Sequence, residues 1–473
     1  MRTLSGVRHL GRIAKGMALA SVLAVVALTT VGPVLAADPS GAATLADDPG
    51  SPVDFVWVIV ASALVFIMQG GFAMLTAGLC RAKNVVNLMM KNLMDFAIGS
   101  LAFFIVGFAL MFGADRGGLV GTTGWLLAGD NYDVQTYLLF LFQVMFAATA
   151  ATIVAGAVAE RLKVKAYFLY AVVVCAVIYP IYGHWVWGGG WLSSLPYGVG
   201  HVDFAGSGVV HTVGGFLGLA GAVVLGPRMG KFDKNGKARA IPGHSIVLAA
   251  LGVFILWFGW YGFNAGSTLS ASELRTSVIA VNTTLAASAG AVSSLVTIYA
   301  VTRKLDVGMT LNGSIAGLVG ITAPCAWVEA WAAVVIGVVA GVIVVAGVLF
   351  FDRTGVDDPV GAVSVHGLNG IWGLLAVGLF ADGSYGLCTT QAPTVVGLFY
   401  GGGFGQLLAQ GIGAVVAAAW AFGAGYLLFK VLDHVLGGIR VNPQEEYEGL
   451  DVGEHGGRAY PNFPVVEDLP YHD

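Results

Sequence analysis

The chain has 473 residues, 57% apolar and only 11% charged, with a mean hydropathy of +0.81. A soluble domain carries about 25% charged residues, whereas the 23 Lys and Arg and 27 Asp and Glu here clump between long uncharged runs. These values exclude a soluble globular enzyme, a disordered chain and a nucleic-acid binder, since a net charge of −4 leaves no basic face.

Arg2, Arg8, Arg12 and Lys15 precede an apolar run from Met17 to Leu28 that ends near Pro33-Val34-Leu35-Ala36. A basic start, a short apolar stretch and a small-residue cleavage site read as a secretory signal peptide over 1–36. The alternative is a retained first helix, which the shortness of the run disfavours. Residues 37–52 are then a loose external linker. Eleven apolar segments follow, near 53–79, 92–113, 137–159, 167–187, 204–226, 244–266, 278–302, 309–324, 330–351, 361–381 and 403–430. Each approaches the roughly 20 residues that a bilayer core requires. None alternates with period two, so the expectation is an all-α integral membrane protein rather than a barrel. The 69 glycines suit membrane helices packed backbone to backbone. Ionisable groups inside the runs are scarce, with Asp54 and Asp95 near segment ends.

Lys and Arg fall unevenly between alternate loops. One set holds Arg81, Lys83, Lys91, Arg161, Lys163, Lys165, Arg228, Lys231, Lys234, Lys237, Arg239, Arg303, Lys304 and Arg353; the other holds Arg116 and Arg275. This bias predicts eleven crossings with the N-terminus outside and the 431–473 tail in the cytoplasm. Four cysteines are too few for a disulfide framework. Cys80 falls inside and Cys175 within a span, where packing is the ordinary role. Cys325 and Cys388 both fall outside and are able to pair only if the fold brings them together.

A repeat gives the clearest functional signal. Asp203, His211, Gly215 and Gly218 recur with identical spacing as Asp358, His366, Gly370 and Gly373. The first copy lies on the fifth segment and the second on the tenth, entering from opposite sides. That pattern predicts an inverted five-plus-five repeat with a final long helix, and a functional site at the repeat interface near the midplane. Eight residues of helix rise about 12 Å, so an aspartate at each membrane boundary sets both histidines deep. The glycines permit close helix approach. A lone histidine on an apolar helix is ordinarily a satisfied core residue; two at equivalent repeat positions point instead to function. The aspartates have a structural role available as helix caps, with Asp203 also shaping the outer mouth and Asp358 its counterpart. Imidazole accepts and donates a proton near neutral pH. A pore lined by two suits a small solute that is uncharged or able to shed a proton, whereas a bulk-ion channel calls for carboxylate or carbonyl rings.

The motifs in this order resemble the ammonium transporters of the Amt/Mep/Rh superfamily, and the Amt branch in particular. They are Ala77-Gly78-Leu79-Cys80-Arg81-Ala82-Lys83-Asn84, Gln143 to Ala147 with Gly156 to Arg161, His184-Trp185-Val186-Trp187 with Gly190, Asp203 to Gly206, Trp260 to Ser267, and Gly449 to Gly456. Together they run from about residue 53 to 460, with 53–430 as the transport domain. The resemblance implies an outer cation site of Trp187, Phe146 and Ser267. Below it come a gate of Phe146 and Phe263, and a passage lined by Trp260, His211 and His366. Aromatic faces attract a partly desolvated cation by about 0.5–2 kcal/mol, and a serine oxygen accepts an N–H that potassium lacks. The bland alternative for each aromatic is packing. The resemblance further implies ammonium recruited as a cation, deprotonated near the gate and conducted as ammonia, with methylammonium as an analogue. It also implies a homotrimer in the cell (inner) membrane, a possible P-II-type cytoplasmic regulator, and no cofactor, metal or enzymatic activity.

Departures are small: Gly206-Ser207-Gly208 replaces a Gly-Gly-Thr, Val144-Met145 is bulky, and Glu329 adds an outward carboxylate. The stretch Gly226 to Phe232 is a residue short of a phosphate-binding loop, and the Asn282 sequon lies within a span. An ammonium sensor and an Rh-type gas channel are the competing readings. The short tail argues against an added kinase or cyclase, and Ser267 with Trp187 argues for the Amt type.

Overall fold

The structure is a computed structural model that describes residues 38–387 and 393–461. The signal peptide expected over 1–36, Cys388 with its suggested pairing to Cys325, and the end of the tail lie outside the described residues.

Among the described residues, ten helices are long and apolar enough to cross a membrane. They are α1 Ser51–Leu79, α2 Ala82–Phe112, α3 Val134–Ala157, α4 Val164–Trp187, α5 Ser207–Leu225, α6 Ile246–Thr268, α7 Thr276–Thr302, α9 Ala330–Thr354, α10 Val363–Phe380 and α11 Gly405–Leu436. Between α7 and α9 lies the shorter apolar helix α8, Val307–Thr322. Two short antiparallel hairpins, Asp115–Arg116 with Val120–Gly121 and Asp382–Gly386 with Thr394–Val396, are the only paired strands among the described residues. The molecule is therefore a helical bundle, because within an apolar layer a helix satisfies its own backbone while a sheet edge does not.

Residues 38–50 are more ordered than a loose linker. Asp38 accepts the Thr44 amide at 2.7 Å, a short helix spans Ala42–Asp47, and the Val134 amide donates to the Asp38 carbonyl. The start of α2 is a larger difference. The apolar run from 92 places Lys91 in a loop and Asp95 at a segment end, but the helix begins at Ala82, ten residues earlier. Lys91 and Asp95 are consequently both fully buried inside it. Lys91 satisfies its ammonium by donating to the Leu162 carbonyl at 2.7 Å and by lying 5.6 Å from the Tyr167 ring centre, as a long cationic stem can.

The loops that carry most Lys and Arg meet at one end of the bundle. Glu160, fully buried at the end of α3, accepts from Arg81 and from Arg228, and Arg228 also pairs with Asp357. Burial raises the Glu160 carboxyl, but the two guanidiniums outweigh it and hold the group well below the ordinary carboxylate range. The C-terminal segment folds back onto the same end through two short helices, α12 Pro443–Glu448 and α13 Leu450–His455. Asp451 accepts the Asn87 amide, Glu454 the Val164 amide and Glu446 the Met229 amide. Residues 443–455 are thus part of the packed structure.

Helices α5 and α10 cross at their glycines. A Cβ on Gly215 would lie 2.3 Å from the Gly367 nitrogen, and one on Gly370 would lie 2.3 Å from the Ser207 carbonyl. Neither position admits any side chain. Both helices also open with a π-helical turn, Ser207–Thr212 and Val363–Leu368, and each turn carries the repeat histidine. Such turns recur at functional sites because they re-aim a side chain.

Candidate functional site

The site is a column of rings. Its upper part comes from α3, α4 and α6. Trp187, at the end of α4, is half-buried and donates its indole N–H to the Asp203 carbonyl at 2.7 Å. Its ring meets that of Phe146 edge-on, with centres 6.1 Å apart. Phe146 stacks on Phe263 at 4.1 Å and 28°. Ser267 lies one turn beyond Phe263 on α6, half-buried, and its hydroxyl donates to the Phe263 carbonyl at 2.7 Å. The hydroxyl hydrogen is used within the helix, so the oxygen lone pairs are what Ser267 offers to a donor.

The column continues through the repeat. The His211 ring lies 5.4 Å from Phe263, 5.1 Å from Trp260 and 5.2 Å from His366, all near-parallel or stacked. Trp260 is held by its indole N–H donating to the Thr322 hydroxyl at 2.9 Å. The two imidazoles face each other through Nδ1 atoms 3.2 Å apart. One proton shared there makes one ring a donor and the other an acceptor, which assigns opposite tautomers to the pair. Nε2 of His211 is buried and has no hydrogen-bond partner among the described residues. His366 lies 4% exposed, with the Phe72 ring 5.9 Å away, and lines a cavity that also touches Thr76, Thr152, Asn312 and Val360. The cavity volume, about 20 Å³, admits a single water-sized molecule.

The boundary aspartates hold the two π turns. Asp203 accepts four amides, from Gly206, Ser207, Gly208 and Val209, at 2.7–3.0 Å. Burial nonetheless holds its carboxyl above the ordinary carboxylate range. Asp358 accepts the Val363 amide at 2.7 Å, and burial pushes its carboxyl up to about 6. Trp187, Phe146, Phe263, Trp260, His211 and His366 are thus joined ring to ring, Ser267 hangs on Phe263, and the two aspartate carboxylates accept backbone amides. Phe72, Thr152 and Asn312 were not anticipated, being ordinary residues in apolar runs; a scan for polar residues facing the repeat histidines is the signal that finds two of them. No group of His, Cys, Asp and Glu able to hold a metal occurs among the described residues.

A bundle of apolar helices around a column of aromatic and imidazole rings defines a multi-pass membrane protein. Comparison with known proteins makes this specific. Residues 56–460 match the sequence model of the Ammonium Transporter Family, and the chain belongs to that family. It is 58% identical over 461 residues to the ammonium transporter Amt2 of Archaeoglobus fulgidus, covering 96% of this chain and 97% of the relative. A putative ammonium transporter of Synechocystis is 45% identical, with 85% and 88% covered. Among solved structures, the chain is similar to a Sensor Amt Protein (TM-score 0.79, 38% identity, covering 86% of this chain and 100% of that one). It is also similar to Candida albicans Mep2 (TM-score 0.76, 33% identity, 88% and 94% covered).

Proposed function

We propose that the chain transports ammonium by taking up the cation and passing ammonia. The observation that carries this reading is the unbroken contact from Trp187 through Phe146, Phe263 and His211 to His366. Trp187, Phe146 and Ser267 form the recruiting site: aromatic faces attract the cation, each worth about 0.5–2 kcal/mol, and Ser267 accepts one of its N–H groups. The stacked pair Phe146 and Phe263 is the gate. A permanent charge entering the dry stretch below it has no ligand to replace its water, which costs several kcal/mol. Ammonium avoids that cost by leaving a proton on the outer side. Ammonia then passes Trp260 and the imidazole pair, where the unpartnered Nε2 of His211 offers a hydrogen bond. It leaves through the cavity below His366 and is reprotonated.

The chain is read as eleven crossings, α8 included, in an inverted five-plus-five repeat with α11 appended. The Lys and Arg end, where the tail docks, is the cytoplasmic one, and the membrane is the cell membrane. A leader over 1–36, a homotrimer with one passage per subunit, and a P-II-type partner at the tail end belong to the same reading. Similarity to a protein named as a sensor favours a second reading, in which the fold reports ammonium. Labelled methylammonium uptake in cells lacking their own carrier separates the two. Transport predicts uptake that unlabelled ammonium suppresses and that His211→Ala or His366→Ala abolishes or alters. Wild-type uptake in both variants refutes the conduction path, and no uptake by the intact chain leaves the sensor reading standing.

A further inference from the structure

One intramembrane carboxyl takes no part in the column. Asp95, on α2, is fully buried, and its Oδ2 meets two hydroxyls: Tyr167 of α4 at 2.5 Å and Thr152 of α3 at 2.7 Å. The Thr152 oxygen also lies 2.8 Å from Oε1 of Gln69 on α1. A threonine hydroxyl has one hydrogen. Given to Asp95, that hydrogen leaves Gln69 without its donor, and leaves a charged Oδ1 that has no partner in the apolar interior. Given to Gln69, it requires a proton on Asp95 Oδ2, which then donates to Thr152. With the Gln69 amide oxygen facing Thr152, the second arrangement completes the chain Asp95 to Thr152 to Gln69, and Tyr167 donates to the same carboxyl.

Thr152 has a second position in the structure. It lines the single-molecule cavity that begins at His366. The hydroxyl that reaches the carboxyl thus belongs to a residue on the wall of the exit route. We propose that Asp95 is a proton donor to the conducted molecule, acting through Thr152 on the inner side of the imidazole pair. The inference rests on the conduction reading above.

The step balances. The Thr152 hydroxyl turns its hydrogen from Gln69 Oε1 to the cavity, where ammonia takes it to form the fourth N–H bond of ammonium. Thr152 takes the Oδ2 proton, leaving Asp95 as a carboxylate that receives hydrogen bonds from Thr152 and Tyr167. Ammonium departs, and a solvent proton returns to Asp95 along the same hydroxyl. The other titratable groups nearby are held elsewhere. Lys91 donates to Leu162 and Tyr170 to Ala151, while Cys175 donates to Ala147. From α1 and α3 the cluster receives only the neutral Gln69 and Thr152.

The test is methylammonium uptake by the full chain reconstituted in vesicles, followed from about pH 5.5 to about pH 9. Near the acid end solvent supplies protons directly. At the alkaline end a positioned acid matters most, with general acid catalysis worth about 10²–10⁴-fold in favourable sites. Asp95→Asn and Thr152→Val are expected near wild type at the acid end and at least about ten-fold slower at the alkaline end. Thr152→Ser, which keeps the hydroxyl, is expected to follow wild type throughout. A purely structural role for the cluster slows uptake equally at every pH and overturns the proposal. So does Thr152→Val matching Thr152→Ser, a comparison that stands even if Asp95→Asn fails to fold. His211→Ala and His366→Ala are measured alongside. Loss of uptake in these with wild-type profiles in Asp95→Asn and Thr152→Val sinks only the Asp95 step, whereas wild-type uptake in the histidine variants sinks the conduction reading itself.

Discussion

Glu160→Gln removes one charge from a buried cluster and has a calculable consequence. Arg81 and Arg228 supply two positive charges and Glu160 and Asp357 two negative ones, so the cluster is neutral as built. Glutamine keeps the volume but leaves one buried guanidinium charge uncompensated, and its amide N–H₂ turns a donor toward donors. Breaking a buried pair by removing one partner costs about 3–5 kcal/mol. Glu160 also sits at a φ of 67°, a left-handed conformation held by the contacts that the substitution weakens. The unfolding entropy of a chain this long makes each kcal/mol worth about 1 °C, so thermal unfolding in detergent should fall by about 3–5 °C. The pH dependence adds a sign. A carboxyl held low in the folded state contributes stability that is present above its unfolded value, about 4.5, and lost as pH falls through the folded one. The gap between wild type and variant should therefore persist from pH 8 down to about pH 4.5 and close only in stronger acid. A Glu160→Gln melting point within 1 °C of wild type at neutral pH would refute the ion-pair argument.

Other outcomes follow from the geometry. Gly215→Ala and Gly370→Ala each place a methyl 2.3 Å from backbone across the α5–α10 crossing, and neither protein should accumulate folded as judged by size-exclusion profiles. Phe263→Ala removes the plate stacked at 4.1 Å on Phe146 and should weaken discrimination against potassium in a competition uptake assay. His201 is buried, which lowers its imidazole to about 4. Because that folded value lies below the unfolded one, stability is complete above about pH 6.5 and drains away toward pH 4. Melting points should fall over this window, before the Glu160 carboxyl titrates, and His201→Phe should flatten the slope.

The repeat histidines and their glycines were legible because the spacing Asp, His, Gly, Gly survives in both halves, and because packing at Gly215 and Gly370 forbids substitution. The bundle was legible from the apolar runs alone. The π turns were not, since one extra residue in a helical turn leaves hydropathy unchanged. The start of α2 was misplaced by the charge of Lys91, which reads as a loop residue until the Leu162 carbonyl is seen to satisfy it. That misplacement hid Asp95, and with it the contacts to Thr152, Gln69 and Tyr167, which come from three other helices. Glu160 and Arg228 appeared as separate motif positions; only the folding together of loops 80–84, 158–163, 226–230 and 355–358 makes them one cluster.

If charge rather than size decides what crosses, potassium is the ion that separates the two. It is close to ammonium in size but has no proton to leave behind. Flux of labelled rubidium or potassium should be measured beside flux of ammonium, through the purified chain in the same vesicles and under the same gradient. Ammonium crossing while the alkali ion stays out is the predicted result; an alkali-ion flux comparable to that of ammonium would contradict a path open only to what can shed its charge.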